Sequence, residues 1–359
     1  MSIHNGVFED RHVRESPVFT NDDASSLLFI KQMIEDRAHE LRYFPTTWWA
    51  KNPHVQTILS SVLRAPEVLL RRERLELSDG DFIDLDWSDA AEHPKRVVAV
   101  FHGLEGSSGS PYVRRLIKRC VEHGVSVVVH HHRSCSGENN RLARSYHSGE
   151  TGDMQQTLQH IRRLWPDAHI DAVGYSLGGN ALAKYLGEHK EASLVDRAVI
   201  VSAPLQLSAC AKRLEGGFSR IYQRHLIKQL QRKTTDKLAN PKLKEMMPVK
   251  SDEVMELKTF YDFDDQVTAP LHGFADVHDY YTQCSGLQFL SSITTPTLII
   301  HAADDPFMTD AVIPEAEQLA DKVSYELYAH GGHVGFISGG SPLRPKFFLE
   351  DRIVDYLKF

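Results

Sequence analysis

Ile170-Asp-Ala-Val-Gly-Tyr-Ser176-Leu-Gly-Gly-Asn180-Ala-Leu-Ala-Lys-Tyr-Leu-Gly187 decides the architecture. Ile170 to Val173 reads as a short buried strand, and Asn180 to Gly187 as a helix. Between them, Gly174-Tyr-Ser176-Leu-Gly178 has the form G-x-S-x-G, which in a strand–turn–helix context places a serine on a sharp, strained corner. Such a corner projects Oγ away from the sheet. The glycines two residues to either side leave room where a side chain would strike neighbouring backbone. The helix begins just past the serine, so its unpaired N–H groups and positive dipole end face any oxyanion forming there.

A serine nucleophile needs a base and an acid, in chain order Ser, Asp, His for this arrangement. Pro296 to His301 reads as a strand, followed by Ala302-Ala-Asp304-Asp305-Pro306. An Asp at the carboxyl end of a parallel strand lies where such sheets gather ligands and catalytic groups. Val323 to Tyr328 is the next strand, and it leads into Ala329-His330-Gly-Gly-His333-Val-Gly-Phe336. His333, in its glycine-flanked loop, is the expected base; His330 is the nearby decoy. Asp304 and Asp305 both remain candidates for the acid: a longer turn favours Asp305, a shorter one Asp304. The second half of an oxyanion hole is expected after the strand Arg96 to Phe101, in His102-Gly103-Leu104-Glu105-Gly106. There a glycine lets backbone approach a substrate carbonyl. The expected donors are the backbone N–H groups of Leu104 and Leu177.

Several local stretches together resemble the YheT-type esterases, a branch of the α/β-hydrolases that also includes eukaryotic abhydrolase-domain lipid hydrolases. They are Trp48-Trp-Ala-Lys-Asn52-Pro-His-Val-Gln56-Thr57, Phe101 to Tyr112, Tyr146-His-Ser-Gly-Glu-Thr151, Gly174 to Asn180, Phe263 to Gly273 and Gly331 to Phe336. One departure lies at His130-His-His-Arg-Ser134-Cys-Ser-Gly137, where Ser134 stands in place of the family's usual glycine. The resemblance implies an α/β-hydrolase fold and action on short- to medium-chain acyl esters, with acylglycerols and phospholipids among the candidates. The departure borders the pocket in such folds, which points to an altered substrate preference.

The chain of 359 residues, 42% hydrophobic, is long enough to bury one large core. No run approaches the roughly 18 apolar residues needed to span a bilayer, and the first residues lack a signal-peptide pattern. Four scattered cysteines (Cys120, Cys135, Cys210, Cys284) fit reduced thiols in a cytoplasmic setting. The three consecutive histidines are not expected to bind metal, because adjacent strand residues point to opposite faces. No cofactor is expected.

Strands and helices alternate from residue 96 onward, which implies a mostly parallel sheet with helices on both faces. Arg72 to Ser78 and Phe82 to Ser88 flank Asp79-Gly80 as a hairpin. The chain is read as one domain: an N-terminal helical extension over 1–65 (helical patterning over 24–63), a core of 66–203 and 291–359, and a helical cap over 204–290. Residues 212–250 carry eleven Lys or Arg against three acids, a local charge of +8 in a chain of −7. A basic amphipathic helix there suits weak peripheral contact with an anionic membrane, or simply a solvated face. Nucleic-acid binding is not expected, and oligomeric state is not legible. Asp264 and Asp265 are read as orienting the cap, and His147 and Asp153 as tying loops to the core.

The expectation is therefore a serine carboxylic-ester hydrolase using Ser176, His333 and Asp304 or Asp305 through an acyl-enzyme. Two alternatives stand beside it: acyl transfer to an alcohol by the same intermediate, and a non-catalytic binding protein on the same scaffold.

Overall fold

Alternating residues of each central strand feed two cores, one on either side of a single sheet. Along β4 (Arg96–Phe101), Val97, Ala99 and Phe101 pack in one core, while Val98 and Val100 pack in the other. The structure is a computed structural model that describes residues 39–88 and 90–359. Its main sheet adds β1 (Leu41–Arg42), β2 (Arg71–Glu76), β3 (Phe82–Ser88), β5 (Ser126–His130), β6 (His169–Tyr175), β7 (Arg197–Val201), β8 (Thr297–Ala302) and β9 (Val323–Tyr328). The strand order is β1-β9-β8-β7-β6-β4-β5-β3-β2. Pairing is parallel from β1 through β5, and only the β3–β5 and β2–β3 pairs are antiparallel.

One face is covered by α2 (Pro111–Glu122) and the C-terminal helix Leu349–Leu357, whose Leu116, Ile117 and Ile353 join the Val98 core. The other carries α3 (Gly152–Leu164) and α4 (Leu177–His189), through Leu158, Leu182 and Leu186. Helix α2 starts where Pro111 presets the first helical φ and stops before Gly124 at φ +70.

The described part of the expected N-terminal helical run needs correction, and its residues 24–38 lie outside the described residues. Residues 41–42 form the edge strand β1 against Leu327 and Tyr328, and Trp48–Ala50 is a single 3₁₀ turn. Only α1 (Pro53–Val62) is a full helix. Pro45 and Pro53 remove backbone donors, and the latter opens α1, where a proline is tolerated. A hairpin at Ile337–Ser341 and Arg344–Phe347 was not foreseen.

Between β7 and β8 no strand occurs among the described residues. The helices α5 (Leu207–Leu214), α6 (Ser219–Leu238) and α7 (Val277–Cys284) are the longest elements of this inserted segment. Two buried side chains tie it down. Asn180 donates from Nδ2 to Ser148 O and Cys284 O and accepts from the Gly286 N–H. Lys237, at the inner end of α6, donates to the carbonyls of Leu142, Ala143 and Arg144 and to Ser145 Oγ, at 2.8 to 3.2 Å.

No carboxylate lies within ion-pair reach of Lys237 among the described residues, and burial pushes its ammonium down to about 7. A lysine whose folded value lies below its unfolded one makes the unfolded state bind more protons between the two. Stability therefore rises with pH across that window. The stability of the wild type relative to Lys237→Met should climb by about 1.4 kcal/mol per pH unit from about pH 7 toward pH 10. Denaturant midpoints of both proteins across that range check it, and a flat difference refutes it.

Candidate active site

The serine corner forms as its glycines require. Ser176 sits at φ +49 and ψ −119, a conformation rarely taken by residues with a side chain. A Cβ on Gly178 would lie 2.4 Å from Phe101 O, and one on Gly174 would lie 2.7 Å from Gly178 O. Neither position tolerates even alanine without moving backbone. The strain is held by the Ser176 N–H donating to Val201 O at 2.8 Å and by the start of α4.

Ser176 Oγ and His333 Nε2 are 3.0 Å apart, and His333 Nδ1 is 2.9 Å from Asp305 Oδ2. Asp305 is buried, with its Oδ1 accepting from the Phe307 N–H. With Nδ1–H donating to this carboxylate, the lone pair on Nε2 faces the serine hydroxyl. Asp304, the other candidate, faces elsewhere: it accepts from the Gly332 N–H at 2.9 Å and meets His330 Nδ1 at 3.3 Å. Burial raises the Asp304 carboxyl, while His330 and the Gly332 N–H pull the other way. His330 pairs with Asp304, whereas Ser176 faces His333.

The histidine loop is itself strained, with φ +56 at Gly332, +60 at Val334 and +47 at Phe336. Helix α1 holds it. Thr57 Oγ1 accepts from the His333 N–H at 2.9 Å, Gln56 Oε1 accepts from the Ile337 N–H, and Ser202 Oγ accepts from the Val334 N–H. The Phe307 ring stacks on His333, centroids 4.1 Å apart and planes 13° apart. Tyr222 of α6 stacks on Phe307 in turn. Gln56 and Thr57 were visible only as part of a family-like stretch, and nothing local in the sequence marked Ser202 or Phe307.

Next to Ser176, Leu177 is the first residue of α4, so its N–H belongs to the unpaired donors of a helix start. Gly103 lies against the corner: a Cβ there would be 3.2 Å from Ser176 Cβ. Leu104 and Leu177 pack together with Tyr146 and Cys135. Of the three histidines, His131 turns away from the other two as strand alternation dictates, while the His130 and His132 rings lie 5.1 Å apart. His130 meets Thr157 and His131 meets Asp86, while His132 Nε2 lies 3.0 Å from His102 O. Burial drives His102 and His130 well below the usual imidazole range, and His132 to about 4. Among the described residues no group of three or more His, Cys, Asp or Glu is arranged to hold a metal ion.

Beside the corner, a cavity of about 100 Å³ opens between the core loops and the inserted helices. Leu104 and Leu177 form its wall nearest Ser176, with Leu230, Phe263 and Leu271 beyond them. Ser134 also lines it, at φ +64, a conformation glycine adopts freely. Asp264 lies on the far wall, with its carboxyl pushed up to about 6 by burial, and accepts from Thr268 and Tyr281 hydroxyls. His147 packs on His272 and Tyr280, and Asp153 pairs with buried Arg133.

A mostly parallel sheet, a serine on a strained strand-to-helix corner and a histidine–carboxylate pair from the last two parallel strands define an α/β-hydrolase. Residues 96–340 match the family model described as alpha/beta hydrolase fold, and the chain belongs to that family. Within it, the chain is 48% identical over 310 residues to the protein named "Putative esterase YheT" of Escherichia coli (strain K12), covering 85% of this chain and 90% of that one. It is 30% identical to mouse "Phospholipase ABHD3" over 309 residues, 83% of this chain and 74% of that one. Among solved structures, the Pyrococcus furiosus esterase Pf2001 shares the fold, with a TM-score of 0.52 at 15% identity over 89% of this chain and 97% of that one.

Proposed function

We propose that the protein is a serine carboxylic-ester hydrolase. The observation that carries the reading is the unbroken line Ser176 Oγ, His333, Asp305, at 3.0 and 2.9 Å, beneath a strained serine corner. Ser176 Oγ bonds to the ester carbonyl carbon while its proton passes to His333 Nε2. The carbonyl π pair becomes an oxyanion facing the Leu104 and Leu177 N–H groups. Collapse of this intermediate breaks the bond to the alkoxide, which takes the proton from His333. Water repeats the sequence and releases the acid.

The segment over 204–290 serves as a cap, with the cavity beneath it as the acyl site. A 150 Å³ apolar cavity holds benzene, so about 100 Å³ favours the short end of the short- to medium-chain range. The names of the relatives, an esterase and a phospholipase, support an ester and leave a lipid head group open. The outer face of α6 presents Arg220, Arg224, Lys228 and Arg232 at four-residue spacing, beside exposed Phe218 and Ile221. That stripe supports weak peripheral contact with anionic lipid. Among the described residues no helix is long and apolar enough to cross a membrane.

The deciding experiment is hydrolysis of p-nitrophenyl esters from acetyl to palmitoyl, together with fluorophosphonate labelling. Turnover should peak at a short chain, and the adduct should map to Ser176. Neither turnover nor adduct would leave only a binding scaffold. A faster release of p-nitrophenol with added alcohol, with the acyl group recovered on that alcohol, would assign acyl transfer instead.

A further inference from the structure

The turn that carries Leu104 is closed by the Gly106 N–H donating to Gly103 O at 3.0 Å. Its third residue, Glu105, has φ +56, where such turns ordinarily use glycine. A glutamate stays in that conformation because three contacts hold it. Its N–H donates to Tyr146 Oη at 2.9 Å, its Oε1 accepts from the Tyr146 hydroxyl at 2.7 Å, and its carboxylate receives Lys233 Nζ at 2.9 Å. Lys233 reaches in from α6, and its Nζ also lies 3.1 Å from Cys135 Sγ. The Glu105 side chain is 5% exposed and that of Lys233 25%, so water screens the pair poorly. The acyl-enzyme chemistry above uses neither residue directly.

We infer that Lys233 is a positioning residue for ester hydrolysis: its ion pair with Glu105 fixes the turn bearing the Leu104 N–H and cancels a carboxylate charge next to the developing oxyanion. The inference rests on the hydrolase reading and on Leu104 as an oxyanion donor. Two effects act together. A turn released from its left-handed conformation misplaces the donor, and a misplacement of about 1 Å costs roughly 100-fold in rate. An unneutralised carboxylate in a water-poor site also opposes negative charge forming nearby. Helix α6 has other anchors, among them Lys237, Gln231 bonded to Val254 O and Leu257 O, and Ser219 bonded to Pro306 O. Loss of one ion pair therefore leaves the helix in place.

The test measures kcat, KM and Tm on the preferred p-nitrophenyl ester for Lys233→Met, Lys233→Arg and the double variant Lys233→Met with Glu105→Gln. Lys233→Met should lose roughly 10- to 100-fold in kcat with KM within a few-fold, and its Tm should fall because the buried Glu105 carboxylate loses its cation. Lys233→Arg should keep most of the activity. The double variant should regain a large part of the loss, because the bare carboxylate is gone. An active wild type whose Lys233→Met variant keeps its kcat, or loses only KM or Tm, overturns this inference alone. So does a double variant no better than the single one. An inactive wild type overturns the hydrolase reading and this inference with it.

Discussion

Ser176→Ala should lower kcat on the best ester by on the order of 10⁶-fold, with Tm close to that of the wild type. The size follows from the chemistry. Without Oγ no acyl-enzyme can form, and what remains is water held near an oxyanion hole. His333→Ala should cost about as much, and the double variant little more than either, because nucleophile and base act as one unit. Stability should hardly move, since alanine meets the same strain as serine at φ +49 and only the contact to His333 is lost. Steady-state kinetics beside thermal unfolding separate the two effects. Activity within tenfold of the wild type in the purified, labelled-and-checked variant would place the nucleophile elsewhere.

The corner was legible because its information is local. Strand, turn and helix occupy the consecutive positions His169 to His189, and the glycine spacing is fixed by contacts as short as 2.4 Å between that segment and the end of β4. The parallel sheet was legible for a similar reason, since each central strand is an apolar run bounded by turn residues. What escaped is non-local. Strand β1 is two residues long and has no period to read, and its pairing lies with Leu327 and Tyr328. The hold of Gln56 and Thr57 on the histidine loop spans some 280 positions.

Helix α6 shows a different limit. Its cations read as one basic run, yet Lys233 and Lys237 turn inward to a carboxylate and to carbonyls, while Arg220, Arg224, Lys228 and Arg232 face out. Composition cannot separate a solvated lysine from a buried one, because only the partners brought by the loops at 105 and 142–145 distinguish them.

The choice between Asp304 and Asp305 was open in the sequence because both follow the same strand, and one residue of turn decides which reaches His333. In the structure, Asp305 accepts from His333 Nδ1 while Asp304 accepts from the Gly332 N–H. Asp305→Asn should therefore cost about 10⁴-fold in kcat, since an amide can present N–H to Nδ1 and leave the ring in the wrong tautomer. Asp304→Asn should cost less than tenfold, because the Asn carbonyl can still accept from the Gly332 N–H. Its effect should appear mainly as a lower Tm, through a loosened histidine loop. Both variants keep side-chain volume, so the contrast between them isolates charge and tautomer from packing. The reverse ranking would transfer the orienting role to the Asp304–His330 pair at 3.3 Å, and His330→Ala would then have to be as damaging as His333→Ala. With Ser176 Oγ at 3.0 Å from His333 Nε2, the geometry favours the first ranking.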